Sequence, residues 1–148
     1  MDPEGLLHAL QGAVADFRDR TGVALDFVNN VPDLALQVEQ EVQVFHIVQE
    51  ALANIGRHAR ALRARLILDK NDGAYEVIIQ DDGGGMPAGA PVAGEGVRTQ
   101  RGHFGMSIMQ ERARRLGGEI TVGRSLGGQG TMVRLRFPAA RSRAEVRA

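Results

Sequence analysis

Apolar residues recur at three- and four-residue spacing in three stretches of the chain and alternate with polar ones in five others, and this change of period divides the sequence into elements. From Pro3 to Gly22, the positions of Leu6, Leu7, Leu10, Val14 and Phe17 predict a helix, with Gly22 as its stop. "VALDFV" (23–28) predicts a short strand, and "NNVPD" a loop. From Gln37 to Arg60 a second helix carries Val44, Val48, Leu52 and Ile55 on one face. "RARLILDK" and "AYEVIIQD" predict two strands joined by the hairpin turn "NDG". A glycine-rich stretch of about twenty residues, Gly83 to Gly102, carries no period; connections this long are usually lids or binding loops, or are disordered. "GMSIMQERARRLG" predicts a third helix starting at Gly105, and "GEITVGRS" and "GTMVRLRFP" a closing hairpin around "LGGQGT".

The order is α-β-α-β-β-loop-α-β-β. Hairpins dominate, which predicts a mixed, mostly antiparallel sheet, and the alternation within strands predicts helices on one face only. The expected fold is a two-layer α/β sandwich, with one domain over residues 1–138 and a flexible tail over 139–148.

The length of 148 residues fits that single domain. Basic and acidic side chains balance at 18 each, which gives no electrostatic case for nucleic acid or an anionic membrane. The absence of cysteine excludes disulfides and thiolate metal sites. No apolar run approaches the roughly 20 residues of a membrane span, and the first ten residues do not form a signal peptide. A cytoplasmic location without membrane contact is expected for this segment. Glycine changes the picture more, because eight of the 19 glycines fall between Gly83 and Gly105.

Four short stretches could carry chemistry. In "QEALANIGRHA" (49–59), Glu50, Asn54 and His58 stand four apart and form one slanted polar stripe on a helix, with Arg57 beside it. A solvated helix face is the competing reading. Against it, Asn is a poor helix-interior residue and Gly56 costs about 1 kcal/mol more than Ala there. Oxygen ligands of this kind suit Mg²⁺. In "QDDGGGMP" (80–87), Asp81 ends a strand and can accept from an amino group, while the following glycines admit a ligand close to the backbone; a simple turn would look similar. In "RGHFGMSIMQER" (101–112), Gly102 and Gly105 flank the expected helix start, where free N–H groups attract phosphate; a hinge is the alternative. In "GGQGT" (127–131), Thr131 either contacts a ligand base or is an ordinary strand residue.

Taken in this order and spacing, the four stretches resemble the boxes of the ATP-binding catalytic domain of two-component sensor histidine kinases, the Bergerat-type nucleotide fold. "EALANIGRHA" resembles the N box, "DDGGG" and "GHFGM" the first two glycine boxes, and "GGQGT" the last. The wording is most similar to the subfamily of nitrate/nitrite-responsive sensor kinases, and the resemblance extends from Gly5 to Pro138.

The resemblance implies that Asn54 binds Mg²⁺ and Glu50 orients or activates the attacking group. It implies that Arg57 and His58 contact phosphates, and that Asp81, with Gly83 and Gly85, holds the adenine amino group. Gly102, Gly105 and Met106 belong to the phosphate-side box, Thr131 matches a contact near adenine, and Gly83 to Gly102 becomes the ATP lid. The implied activity is transfer of the γ-phosphoryl group of ATP to a histidine on a dimerisation domain, with a response regulator downstream. Three positions depart from the pattern. Asp82 stands where the family usually has Asn, and Gly56 where Ala is more usual; His103 is either a phosphate contact or an exposed lid residue. Neither His8 in "LLHAL" nor His46 in "VFHIV" has the setting of a phosphoacceptor. The chain is therefore expected to be a fragment of a longer kinase that does not autophosphorylate alone, with an inner-membrane anchor for the full-length protein left open. A stand-alone serine kinase of the same fold and a non-catalytic ATP-responsive module are the alternatives.

Overall fold

The computed structural model describes residues 5–32, 34–58, 63–82, 100–124 and 130–139. Most of the expected lid, residues 125–129 of the expected closing turn and the expected tail from residue 140 lie outside these residues.

Helix α1 (Gly5–Thr21) buries Leu6, Leu10, Val14 and Phe17, one face at the predicted spacing. Its last turn is closed by the Gly22 N–H donating to the Arg18 carbonyl at 2.9 Å. Strand β1 (Ala24–Asn29) follows, and the Arg18 Nε–H ties the helix to it by donating to the Leu25 carbonyl at 2.7 Å. Helix α2 (Val38–His58) begins with a side-chain cap. The Gln37 N–H donates to Gln40 Oε1 at 2.9 Å, and Glu39 and Glu41 lie in the first turn, where the helix dipole favours acids. Strands β2 (Arg63–Asn71) and β3 (Ala74–Asp81) form the predicted hairpin. Asp72 (φ 53°) and Gly73 (φ 74°) both take positive φ, as a two-residue turn of this hand requires. Helix α3 (Gln100–Arg115), strand β4 (Glu119–Arg124) and strand β5 (Thr131–Pro138) complete the chain.

The five strands are ordered β1-β2-β3-β5-β4. Only β1 and β2 run parallel, and the other three pairs are antiparallel. All three helices pack on one face of this sheet, with α2 in the middle between α1 and α3. The core lies between the layers: Val44, Ile47, Val48, Ala51 and Leu52 from α2 meet Leu66, Val77, Ile79 and Leu135 from the sheet, all buried.

The topology fixes the direction of each element. α2 connects the parallel strands β1 and β2, so it runs antiparallel to both and in the same sense as β3. β5 is antiparallel to both β3 and β4, so those two are parallel, and α3 between them runs against both. α2 and α3 are therefore antiparallel. One end of the sandwich collects the C-terminal half of α2, the last residue of β3, the start of α3 and the start of β5.

Among the described residues no helix lies on the opposite face of the sheet. There Glu76 is only 6% exposed, held by ion pairs with Arg134 and, at 3.6 Å, Arg136 from the neighbouring strand. These pairs stitch β3 to β5 from the side opposite the core.

Candidate functional site

Along β3 the side chains of Tyr75, Val77 and Ile79 point under the helices, and Asp81 continues that alternation at the strand end. Asp81 is 3% exposed, a strongly buried position for a carboxylate. Its partner across β2 is the buried Ala64. On the other side the β3–β5 register runs to Gln80↔Met132, so the next step sets Asp81 beside Thr131. Thr131 has the parity of the buried Val133 and Leu135, which turns its side chain to the same, helix-covered side as the Asp81 carboxylate.

Gly130 makes this junction. Its φ is +80°, and a Cβ there would lie 1.9 Å from the Asp81 carbonyl oxygen and 3.1 Å from Asp81 Oδ1. Only a bare backbone can come that close. The sequence marks "GGQGT" by its threonine and its turn and does not distinguish the glycine that touches Asp81, because nothing in the local sequence says that β5 will start beside the end of β3.

Asp82 turns to a different task. Its N–H donates to the Arg63 carbonyl at 3.0 Å, and its Oδ1 accepts from the Arg63 N–H at 2.9 Å. This reciprocal pair extends the β2–β3 ladder by one step past its last strand partners, Ala64 and Asp81. The carboxylate oxygen acts as a backbone acceptor here, a role that an Asn oxygen fills equally well.

On α2, Glu50 and Asn54 are half-buried and one turn apart, while Ala51 and Leu52 between them and Ile55 just after them turn into the core. Each of Glu50, Asn54, Asp81 and Asp82 is engaged within the fold. Arg57 and His58 form the last turn of α2, and their side chains lie outside the described residues. Gly83 and Gly85 also lie outside them.

The start of α3 corrects one expectation. The helix begins at Gln100, five residues before the predicted Gly105, so Gly102 and Gly105 lie inside it and do not flank its start. Two glycines cost a helix about 2 kcal/mol relative to alanines. Burial of Met109, Ala113 and Leu116 against α2 and the sheet offsets that cost. Gly102 is the third residue of the helix, so its N–H is among the four without an intrahelical acceptor; the Gly105 N–H is not. His103 and Met106 are helical, and their side chains lie outside the described residues.

Among the described residues no three His, Asp or Glu side chains gather into a metal-binding cluster. What α2 offers is one amide oxygen and one carboxylate a turn apart. That donor set fits a hard cation that brings most of its own ligands, as Mg²⁺ does on a polyphosphate, and does not resemble a cage for a resident metal.

Comparison with known proteins assigns the class. Residues 39–141 match the model of the histidine kinase-, DNA gyrase B- and HSP90-like ATPase family, and the chain belongs to that family. It is 35% identical over 133 residues to the nitrate/nitrite sensor protein NarQ of Escherichia coli, covering 89% of this chain and 22% of NarQ. It is 28% identical over 138 residues to the signal transduction histidine-protein kinase/phosphatase DegS of Brevibacillus brevis, covering 93% of this chain and 33% of DegS. The chain thus spans between a fifth and a third of these relatives. Among solved structures, full-length ShkA in complex with AMPPNP superposes with a TM-score of 0.73 at 22% identity, over 96% of this chain and 31% of ShkA. The ATP-binding domain of PrrB from Mycobacterium tuberculosis superposes with a TM-score of 0.67 at 22% identity, over 90% of this chain and 93% of that domain. The fold is that of histidine kinase ATP-binding domains.

Proposed function

We propose that this chain is the catalytic domain of a two-component sensor kinase: it binds Mg·ATP and delivers the γ-phosphoryl group to a histidine on a dimerisation domain. The observation that carries the reading is the gathering of Glu50 and Asn54, Asp81, the start of α3 and Thr131 at one end of the sandwich, from four stretches remote in sequence. Family membership and the likeness to NarQ support it.

In this reading the buried Asp81 carboxylate accepts from the adenine amino group, and Thr131 stands beside it on the same face. Gly130 and the glycines after Asp82 keep side chains out of the space the base enters. Asn54 supplies an oxygen to the cation, which neutralises phosphate charge when bound. Glu50, one turn before Asn54, orients the incoming imidazole and takes its proton as the N–P bond forms and ADP departs. Arg57 and His58 at the end of α2 and the unpaired N–H groups of the first turn of α3 meet the phosphates. His103, Met106, Gly83 and Gly85 complete the phosphate and lid contacts. Phosphoryl transfer asks mainly for position and charge stabilisation, and these groups supply both. A response regulator then takes the phosphoryl group from the histidine.

The test is calorimetric binding of a non-hydrolysable ATP analogue with and without Mg²⁺, for wild type, Asn54→Ala and Asp81→Asn. Asn54→Ala should remove the Mg²⁺ dependence. Asp81→Asn should lower affinity roughly tenfold or more, because a buried acceptor becomes an ambiguous amide. Unchanged binding in both variants would remove these residues from the site. With the dimerisation domain supplied in trans and labelled ATP, acid-labile phosphate should appear on its histidine; acid-stable phosphate on a partner would indicate a serine kinase instead.

A further inference from the structure

We propose that Gln43 and Arg112 form a positioning pair that sets the separation of α2 and α3 where those helices carry the site, a role that rests on the nucleotide-binding reading above. Arg112 Nη1 donates to Gln43 Oε1 at 2.9 Å, across 69 residues of sequence, and both side chains are half-buried. It joins the two helices directly through their side chains. Its donor is charged, which makes it stronger than a neutral bond.

The spacing gives the pair its reach. Glu50 follows Gln43 by seven residues, two turns and about 10.5 Å along α2, on nearly the same face. Gly105 precedes Arg112 by the same seven residues on α3. Because the helices are antiparallel, the register that joins Gln43 to Arg112 sets Glu50 level with Gly105. Ile47 and Met109 lie between these two levels, at 0% and 1% exposure, so the wall between the helices is close-packed from the pair to the site. A change of separation at the pair is transmitted, because such packing does not yield. Arg112 also stands apart from its neighbours in chemistry. Arg114 and Arg115 pair with Glu111, on the exposed side of their own helix, whereas Arg112 bonds across to α2.

Both residues lie two turns from the level of Glu50 and Gly105, so their effect acts through the helices. The chain has no cysteine, which permits a direct measurement of helix separation. Spin labels at the exposed positions Gln49→Cys and Gln110→Cys report the distance between α2 and α3 on the site side. Arg112→Ala and Gln43→Ala should each broaden and lengthen that distance distribution. Each should weaken binding of an ATP analogue by about tenfold, with the melting temperature nearly unchanged, since small misplacements of binding groups are costly. Gln43→Glu keeps an acceptor for the guanidinium and should restore the wild-type distribution and bind within about threefold of wild type. The double variant Gln43→Ala with Arg112→Ala should be no worse than either alone. Unchanged label distances in both alanine variants would overturn the proposal, and so would distances that shift without any change in analogue affinity. Failure of the unaltered chain to bind the analogue, while the distances respond, would refute the nucleotide reading and leave the helix clamp supported.

Discussion

Replacing Gly130 by alanine should destabilise the fold far more than the same replacement at Gly73, although both glycines share a positive φ of 80° and 74°. The left-handed backbone costs an L-residue about 1–2 kcal/mol at either site, partly offset by the stiffer unfolded chain. At Gly73 nothing lies within 4 Å of the added Cβ, so the cost ends there. At Gly130 the Cβ would stand 1.9 Å from the Asp81 carbonyl oxygen and 2.8 Å from its carbonyl carbon. Those atoms are backbone of a paired strand and have no rotamer to change. The ends of β3 and β5 must then part by roughly 1.5 Å to reach an ordinary contact, and such overpacking costs about 1–3 kcal/mol more. The total is about 2–4 kcal/mol for Gly130→Ala against about 1 kcal/mol for Gly73→Ala. In urea, where the slope is about 1–3 kcal/mol per molar, the midpoint should fall by about 1–2 M for the first and by less than half of that for the second. ATP-analogue affinity should fall only for Gly130→Ala, because Asp81 moves with the strand. Equal midpoints for the two variants would refute the close approach of Gly130 to Asp81.

Gly56→Ala should stabilise the chain by about 0.5 kcal/mol and raise the melting temperature by about 1–2 °C, since the new Cβ meets Thr21 and Phe17 at ordinary distances of 3.5 and 3.7 Å; a lower melting temperature would show that α2 needs the glycine. Asp82→Ala should cost about 0.5–1.5 kcal/mol and speed exchange of the Arg63 amide, whereas Asp82→Asn keeps an acceptor and should leave that exchange near wild type. Glu76→Ala should cost about 1–2 kcal/mol by urea denaturation, because it leaves Arg134 and Arg136 side by side without their shared carboxylate, both arginines being partly solvated.

Periodicity alone made most of the elements legible. Leu6, Leu10, Val14 and Phe17 on α1 and Val44, Val48, Leu52 and Ile55 on α2 are buried at the predicted spacing, and "NDG" forms the predicted turn. These features depend on neighbours within a turn or across two residues, so local sequence determines them. The start of α3 was not legible. Gly102 and Gly105 looked like a boundary, and burial of Met109, Ala113 and Leu116 overrides a helix penalty that a local reading takes at face value.

The sequence by itself also determined which chemistry is on offer: an amide and a carboxylate one turn apart on a helix, an acid ending a strand, and glycines where side chains would intrude. It marked Asp81 as the acid for the ligand and left the task of Asp82 open. The tertiary structure gave each its place. Strand alternation buries Asp81 beside Thr131 and Gly130, while Asp82, one residue on, turns to the Arg63 backbone. The same holds for the site as a whole. That α2, β3, α3 and β5 bring their motifs to one end follows from a single parallel pair and three antiparallel ones, a pattern of strand directions. Strand direction is decided by pairing between segments far apart in the chain, which no local window contains.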